Sequence, residues 1–339
     1  MTTTTMIDSP PVFTQSASPV PSLLTSPTPV QLNTVGQSTT DGFMLATLQE
    51  NENGDRSFTY GLNDPSSNPS TVRACASQHY YVDEDRYVVN ASFLMPAPSG
   101  LSYVIGEDTT SGFPSATAQF MALNLQGMQA WQVVALNNPT VATQDGFVVA
   151  WVDGSGDDGS RGSITGAQIL GVGPSIVAGS SQHLYADGDV FVPCNSFMMP
   201  VCNGTTYQIN TTITSDNPVF GAAFVPLDPS VFQLGTVTER NAGSIYQAQT
   251  DGFLVAYLSA NEDGDRASVD LYSNSNQNPV SSAPLASTSI HLYSNADIYV
   301  PFNTVTIPVQ SGNYYTASFT PTSGNPAIAL WWVPITATP

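Results

Sequence analysis

Three short acidic stretches hold the residues best suited to chemistry. They read ENENGDR up to Arg56, DGSGDDGSR up to Arg161 and NEDGDR up to Arg266. Oxygen-rich loops that contain glycine can hold Ca²⁺, which takes about six to eight oxygen ligands. Asp55, Asp157 and Asp265 are the candidate ligands on that reading. The EF-hand pattern is not met, because the Glu at its last position is missing and no flanking helices are expected. The alternative is a solvated hairpin tip whose Arg pairs with neighbouring carboxylates.

Histidine is the second chemical marker. The chain has 3, namely His79, His183 and His291, and each opens a similar passage: HYYVDEDRYVV, HLYADGDVFVP and HLYSNADIYVP. An Asp follows in each, at Asp85, Asp189 and Asp297. One reading makes each His a sheet residue hydrogen-bonded to a neighbour. The other closes the chain into a ring, so that three imidazoles converge on an axis to bind a metal or respond to pH. Tyr80, Tyr81, Tyr185, Tyr293, Trp331 and Trp332 are candidates for stacking on sugar rings, although at strand positions most are expected in the core.

Catalytic patterns are missing. There is no lysine, which excludes a phosphate loop, and no Gly-x-Ser-x-Gly elbow. No copy carries an evident acid, base or nucleophile of its own. The expectation is therefore a protein without catalytic residues and without a resident cofactor, Ca²⁺ aside. Cys75, Cys194 and Cys202 are an odd set and not a disulfide framework. Cys194 and Cys202 are near enough for a local bridge; the alternative is free buried thiols.

The elements that must position these residues recur three times. Asp-Gly-Phe stands at 41–43, 145–147 and 251–253 and opens the apolar runs FMLATL, FVVAWV and FLVAYL. The acidic stretch and the His passage follow. Gly-x-x-Tyr comes next (Gly100 and Tyr103, Gly204 and Tyr207, Gly312 and Tyr315), and the apolar strands FMAL, FVPL and WVPI close each copy. Short strands separated by turn residues predict an all-β chain: three tandem antiparallel β-sandwich, jelly-roll-like modules. Residues 1–36, rich in Thr, Ser and Pro, read as an extended N-terminal arm. The modules then span 37–124, 125–228 and 229–339, the last two each beginning with a linker strand.

Composition narrows the partners. Charged residues make up 9% of the chain and the net charge is −20, so a nucleic acid or an anionic membrane would be repelled. No apolar stretch is long enough for a membrane-spanning helix. The start, MTTTTMIDSPPVFTQ, lacks the basic and apolar regions of a signal peptide, while the composition suits an extracellular setting.

TDGFLVAYL, the His-x-Tyr passage and GNYYTASF…IALWWVPI together resemble modules of bacteriophage fibre and decoration proteins, and more distantly C1q/TNF-type jelly rolls. The resemblance covers the repeats and not the arm. It implies a structural or adhesive role, and the first expectation is a non-enzymatic virion surface protein that contacts other virion proteins through residues 1–36 and reaches toward a host surface. C1q/TNF-type domains trimerise, so it also implies a homo-oligomer or a pseudo-trimer of modules within one chain. The second expectation is a secreted or cell-surface adhesin that binds carbohydrate, with or without calcium; in either case a host glycan is a partner.

Overall fold

A computed structural model describes residues 22–81, 86–154, 158–169, 175–185, 190–293 and 298–338. Asp85, Asp157, Asp189, Asp297 and the first 21 residues lie outside the described set. The described chain is strand throughout, apart from turns and one 3₁₀ turn at Pro279–Ser281. Residues alternate between buried and part-exposed along strands such as Arg56–Asp64, as a half-buried sheet requires.

The first repeat contributes β1 (Thr28–Pro29), β2 (Gly36–Gln37), β3 (Gly42–Gln49), β4 (Arg56–Asp64), β5 (Val72–Tyr81), β6 (Arg86–Val88), β7 (Asn90–Ala97), β8 (Ser102–Ser111) and β9 (Ser115–Ala122). These form two antiparallel sheets, ordered β1-β9-β3-β7 and β2-β8-β4-β5-β6. Leaving aside the short β6, successive strands alternate between the sheets except at the β4–β5 hairpin. That is jelly-roll order. The sheets face each other closely: a Cβ on Gly61 of β4 would lie 2.9 Å from Sδ of Met95 on β7.

The second repeat matches this plan. Its strands are β10 (Gln132–Val133), β11 (Pro139–Val141), β12 (Gly146–Asp153), β13 (Ser160–Ile169), β14 (Ile176–Tyr185), β15 (Val190–Val192), β16 (Cys194–Val201), β17 (Thr206–Ser215) and β18 (Val219–Pro226). Their orders are β10-β18-β12-β16 and β11-β17-β13-β14-β15. The third uses β19 (Phe232–Leu234), β20 (Thr238–Arg240), β21 (Tyr246–Gln247), β22 (Gly252–Ser259), β23 (Arg266–Asn274), β24 (Ala286–Tyr293), β25 (Ile298–Val300), β26 (Phe302–Val309), β27 (Tyr314–Ser323) and β28 (Ala327–Ala337). Its orders are β19-β28-β22-β26, with β20 also on β28, and β21-β27-β23-β24-β25.

The boundary placed at residue 36 falls inside the first jelly roll. Residues 22–37 supply its β1 and β2, and Leu23 and Leu24 are buried in its core. Composition misleads here because both strands are short, polar sheet edges, where Pro and Thr are tolerated. The linkers play the same part in the later repeats, as β10 and β11 and as β19 to β21.

The jelly rolls close into a ring. Phe43, Phe147 and Phe253 meet edge to face, with ring centroids 5.1, 5.0 and 4.9 Å apart, so one Phe from each repeat stands about an approximate threefold axis. Most buried apolar residues of the three repeats join one continuous core, and Val88, Val190, Val192, Ile298 and Val300 of the short strands β6, β15 and β25 form a second, smaller cluster shared by all three.

Candidate functional site

Each interface of the ring is organised by the landmarks seen in the sequence. The Arg that ends the acidic stretch pairs across the sheet with the His: Arg56 with His79, Arg161 with His183, Arg266 with His291. Two residues beyond each His a Tyr packs edge-on to the imidazole, at 5.2 Å for Tyr81, 5.0 Å for Tyr185 and 5.1 Å for Tyr293. Arg56 and Arg161 lie over the Tyr81 and Tyr185 rings at 5.4 and 5.5 Å.

The imidazoles then reach into the next repeat. The Phe191 N–H donates to Nδ1 of His79 at 2.9 Å, that of Tyr299 to His183 at 3.0 Å, and that of Tyr87 to His291 at 3.2 Å. Every donor belongs to the short flap strand of the following jelly roll, and the third bond returns from the third repeat to the first. The histidines are thus fully buried staples distributed around the ring. The reading as sheet residues bonded to a neighbour describes them, with the neighbour in another repeat. Each imidazole bonds a different flap strand, and the three Phe rings form the axial trio. Among the described residues no group of His, Cys, Asp and Glu side chains is arranged to hold a metal ion.

Burial, and then the charge of the nearby Arg, push the pKa of His183 and of His291 down to about 3. At neutral pH these rings are uncharged and accept at Nδ1. In His183 the second nitrogen also faces a donor, Nε of Arg161 at 2.9 Å. A neutral imidazole offers only one lone pair, so it satisfies one of the two donors at a time.

The Asp of Asp-Gly-Phe is a second staple, and sequence reasoning gave it no role. Asp41 accepts from the N–H of Ser99 at 2.7 Å and of Met128 at 2.6 Å, gripping the segment that leads into the second jelly roll. Asp145 accepts from Asn203 at 2.7 Å and from Leu234, leading into the third, at 2.8 Å. Asp251 accepts from Ser311 at 2.8 Å, from Oγ of Ser22 at 2.7 Å and from the N–H of Leu23. The last grip joins the third repeat to the start of the first and closes the seam. Gly follows because a Cβ on Gly42 would sit 2.5 Å from the Met121 carbonyl oxygen, and Phe follows because it reaches the axis. The signal was present in the sequence: one invariable acid before each axial Phe, in a chain with few charges.

Buried Ser, Thr and Asn side chains complete the interfaces. Asn195 accepts from the Ser77 N–H at 3.0 Å and donates to the Ser181 carbonyl at 2.8 Å. Asn303 does the same with Ser181 and Ser289, at 3.4 and 2.9 Å. Pairing of these polar groups fixes the register between neighbours.

The acidic turns use their carboxylates internally. Asp55 accepts N–H bonds from Asn51 at 2.6 Å, Glu52 at 3.1 Å and Phe113 at 2.9 Å. Asp265 accepts from Asn261 at 2.6 Å, Glu262 at 3.0 Å and Asn325 at 2.6 Å. Both are fully buried, not solvated. Burial opposes ionisation of Asp265, and its three backbone donors more than offset it, so its carboxyl is held below the usual range. A calcium ion here would have to replace those N–H bonds. The place matching Asp55 and Asp265, just before the Arg, is held in the second repeat by buried Ser160. The three Asp candidates are therefore not equivalent.

Trp331 and Trp332 are buried, Trp332 stacked on Tyr315 at 4.7 Å, so neither offers a face to a sugar. All three cysteines are free, and the neighbour of the Cys194 thiol is Cys75 of the first repeat. Both thiols line a groove of ≈ 530 Å³ between the first and second jelly rolls, whose walls include Phe58, Tyr60 and Phe191. Compared with protein-family models and with curated proteins, the chain matches none.

Proposed function

We propose that the chain is a non-enzymatic structural protein of a bacteriophage virion surface, a fibre, decoration or appendage component held by its N-terminal arm. The observation that supports this reading is the closed ring of three jelly rolls in one chain. It is a rigid, symmetric head in which the repeated polar and histidine residues serve the joints between repeats. Ser22, the first described residue, is bonded to Asp251 at the seam between the third and first repeats. A surface of net charge −20 keeps such heads apart in solution.

Mass spectrometry and immunogold labelling of purified particles test the proposal. The protein should be found at the particle surface, and a chain starting at Ser22 should fold yet fail to attach. Absence from particles would overturn the reading. The aromatic groove between the first two jelly rolls favours a second one, a secreted or cell-surface adhesin that binds carbohydrate. For that reading the protein would be recovered from the cell exterior with no particle present.

A further inference from the structure

The three interfaces descend from one repeat, so a departure at one of them carries information. The shared Arg–His register sets the equivalences. Where β4 carries Phe58 and Tyr60, the matching strands carry Ser163 and Thr165, and Ser268 and Asp270. Both aromatic side chains are part-exposed on one face of β4. Two such rings on an open face weigh against solubility, and neither sister repeat keeps them.

The space beside them differs from that between the second and third jelly rolls. Between the second and third jelly rolls, the Phe302 ring covers Gly179, where a Cβ would lie 2.8 Å from the ring. Between the first and second, Cys75 stands in the place of Gly179 and Cys194 in that of Phe302. The small thiols leave the groove of ≈ 530 Å³ open.

Its floor is a flat aromatic surface. Tyr60 lies across Gly106 on the adjacent strand, where a Cβ would come within 2.1 Å of Cζ. One ring face is therefore pressed to the sheet and the other is turned to the groove. Phe58 continues this floor, its ring 5.9 Å from that of Tyr60 and tilted by 35°. Phe191 of the second jelly roll packs against Phe58, with ring centroids 6.1 Å apart, and also lines the groove. Asp108, Thr110 and Asp153 add oxygen acceptors, and Asp108 and Thr110 are exposed.

Flat aromatic faces stack on the C–H faces of pyranose rings, while carboxylates accept hydrogen bonds from their hydroxyls. Among the described residues no Arg, Lys or His lines the groove. With its two carboxylates and the chain's charge of −20, it repels sulfated, phosphorylated or sialylated sugars. We propose that the groove between the first and second jelly rolls binds a neutral saccharide, stacked on Tyr60 and Phe58 and held through its hydroxyls by Asp108 and Asp153. This holds wherever the protein is located, so its failure and that of the virion reading are separable. Sugar binding is tested on the purified chain, location on particles.

The test is saturation-transfer NMR and calorimetry of the full chain against neutral oligosaccharides of the gluco-, galacto-, manno- and N-acetylhexosamine series, with tetramethylammonium as a cationic control. At least one oligosaccharide should bind with one site per chain. Tyr60→Thr, the residue the second repeat holds, should weaken binding at least tenfold. Exposed Asp108→Asn should weaken it with an unchanged melting temperature, which keeps the test valid should Tyr60→Thr disturb folding. No binding across the panel, binding untouched by both substitutions, or uptake of tetramethylammonium in place of sugar would each overturn the proposal.

Discussion

Replacing His183 with alanine strands the Tyr299 N–H inside the interface between the second and third jelly rolls. A buried donor left without a partner costs about 1–3 kcal/mol. Urea denaturation of His183→Ala should show a loss of that size. The same ring ties stability to pH. Its folded pKa of about 3, like that of His291, lies below the ordinary 6.5. Below pH 6.5 the unfolded chain takes up protons that the native chain refuses, so these two residues withdraw stability as pH falls from 6.5 toward 3. Glu50 acts with the opposite sign. Burial first, then Asp55 and Asp270, raise its pKa from 4.5 to about 7, so its contribution is complete below pH 4.5 and lost as pH rises through 7. The melting temperature should therefore fall most steeply below pH 4.5, where Glu50 has no more to add. His183→Gln should flatten that decline.

At the scale of elements, the joints differ in how they are tethered. Asp41 and Asp145 grip segments that directly follow their own jelly rolls, whereas Asp251 grips residues from the far end of the chain. Asp251→Ala should therefore open the seam, and hydrogen exchange should quicken in β1 and β2. Asp41→Ala should lack that effect, because its linker stays tethered at both ends. The same strands settle where the first jelly roll begins. A chain starting at Ser22 keeps them and should melt cooperatively; one starting at Ser38 leaves the β9 and β8 edges bare and should aggregate on heating. This is also where the sequence was least readable. The apolar runs after Asp-Gly-Phe announced their strands, since both faces are buried over their first half and the run is almost wholly apolar. The edge strands hold few buried residues and carry no such signal. The site shows the same divide. The His and Asp-Gly-Phe markers were visible as repeated letters, but each also grips a segment of another repeat, and one sequence does not say which strands from different repeats become neighbours. The groove was hidden for a further reason: it arises from residues that depart from the repeat, and the repeat is what the eye follows.

At the scale of the molecule, a ring held within one chain has no dissociation step. Its melting temperature should stay constant over a hundredfold dilution, where a trimer of separate chains would melt lower as it is diluted. Differential scanning fluorimetry across that range decides the matter, and a concentration-dependent midpoint would mean that folding requires further copies.

The axial trio of Phe43, Phe147 and Phe253 has a genetic consequence. In an assembly of identical chains, one codon change appears at every position around the axis, and a change harmful at one joint is repeated at all of them. Here each ring is written by its own codon, so the joints are free to drift apart while the axis stays filled. A ligand surface on one joint of such a molecule is present once per head. Any strong hold on a target must then come from many heads acting together, and not from symmetry within one of them.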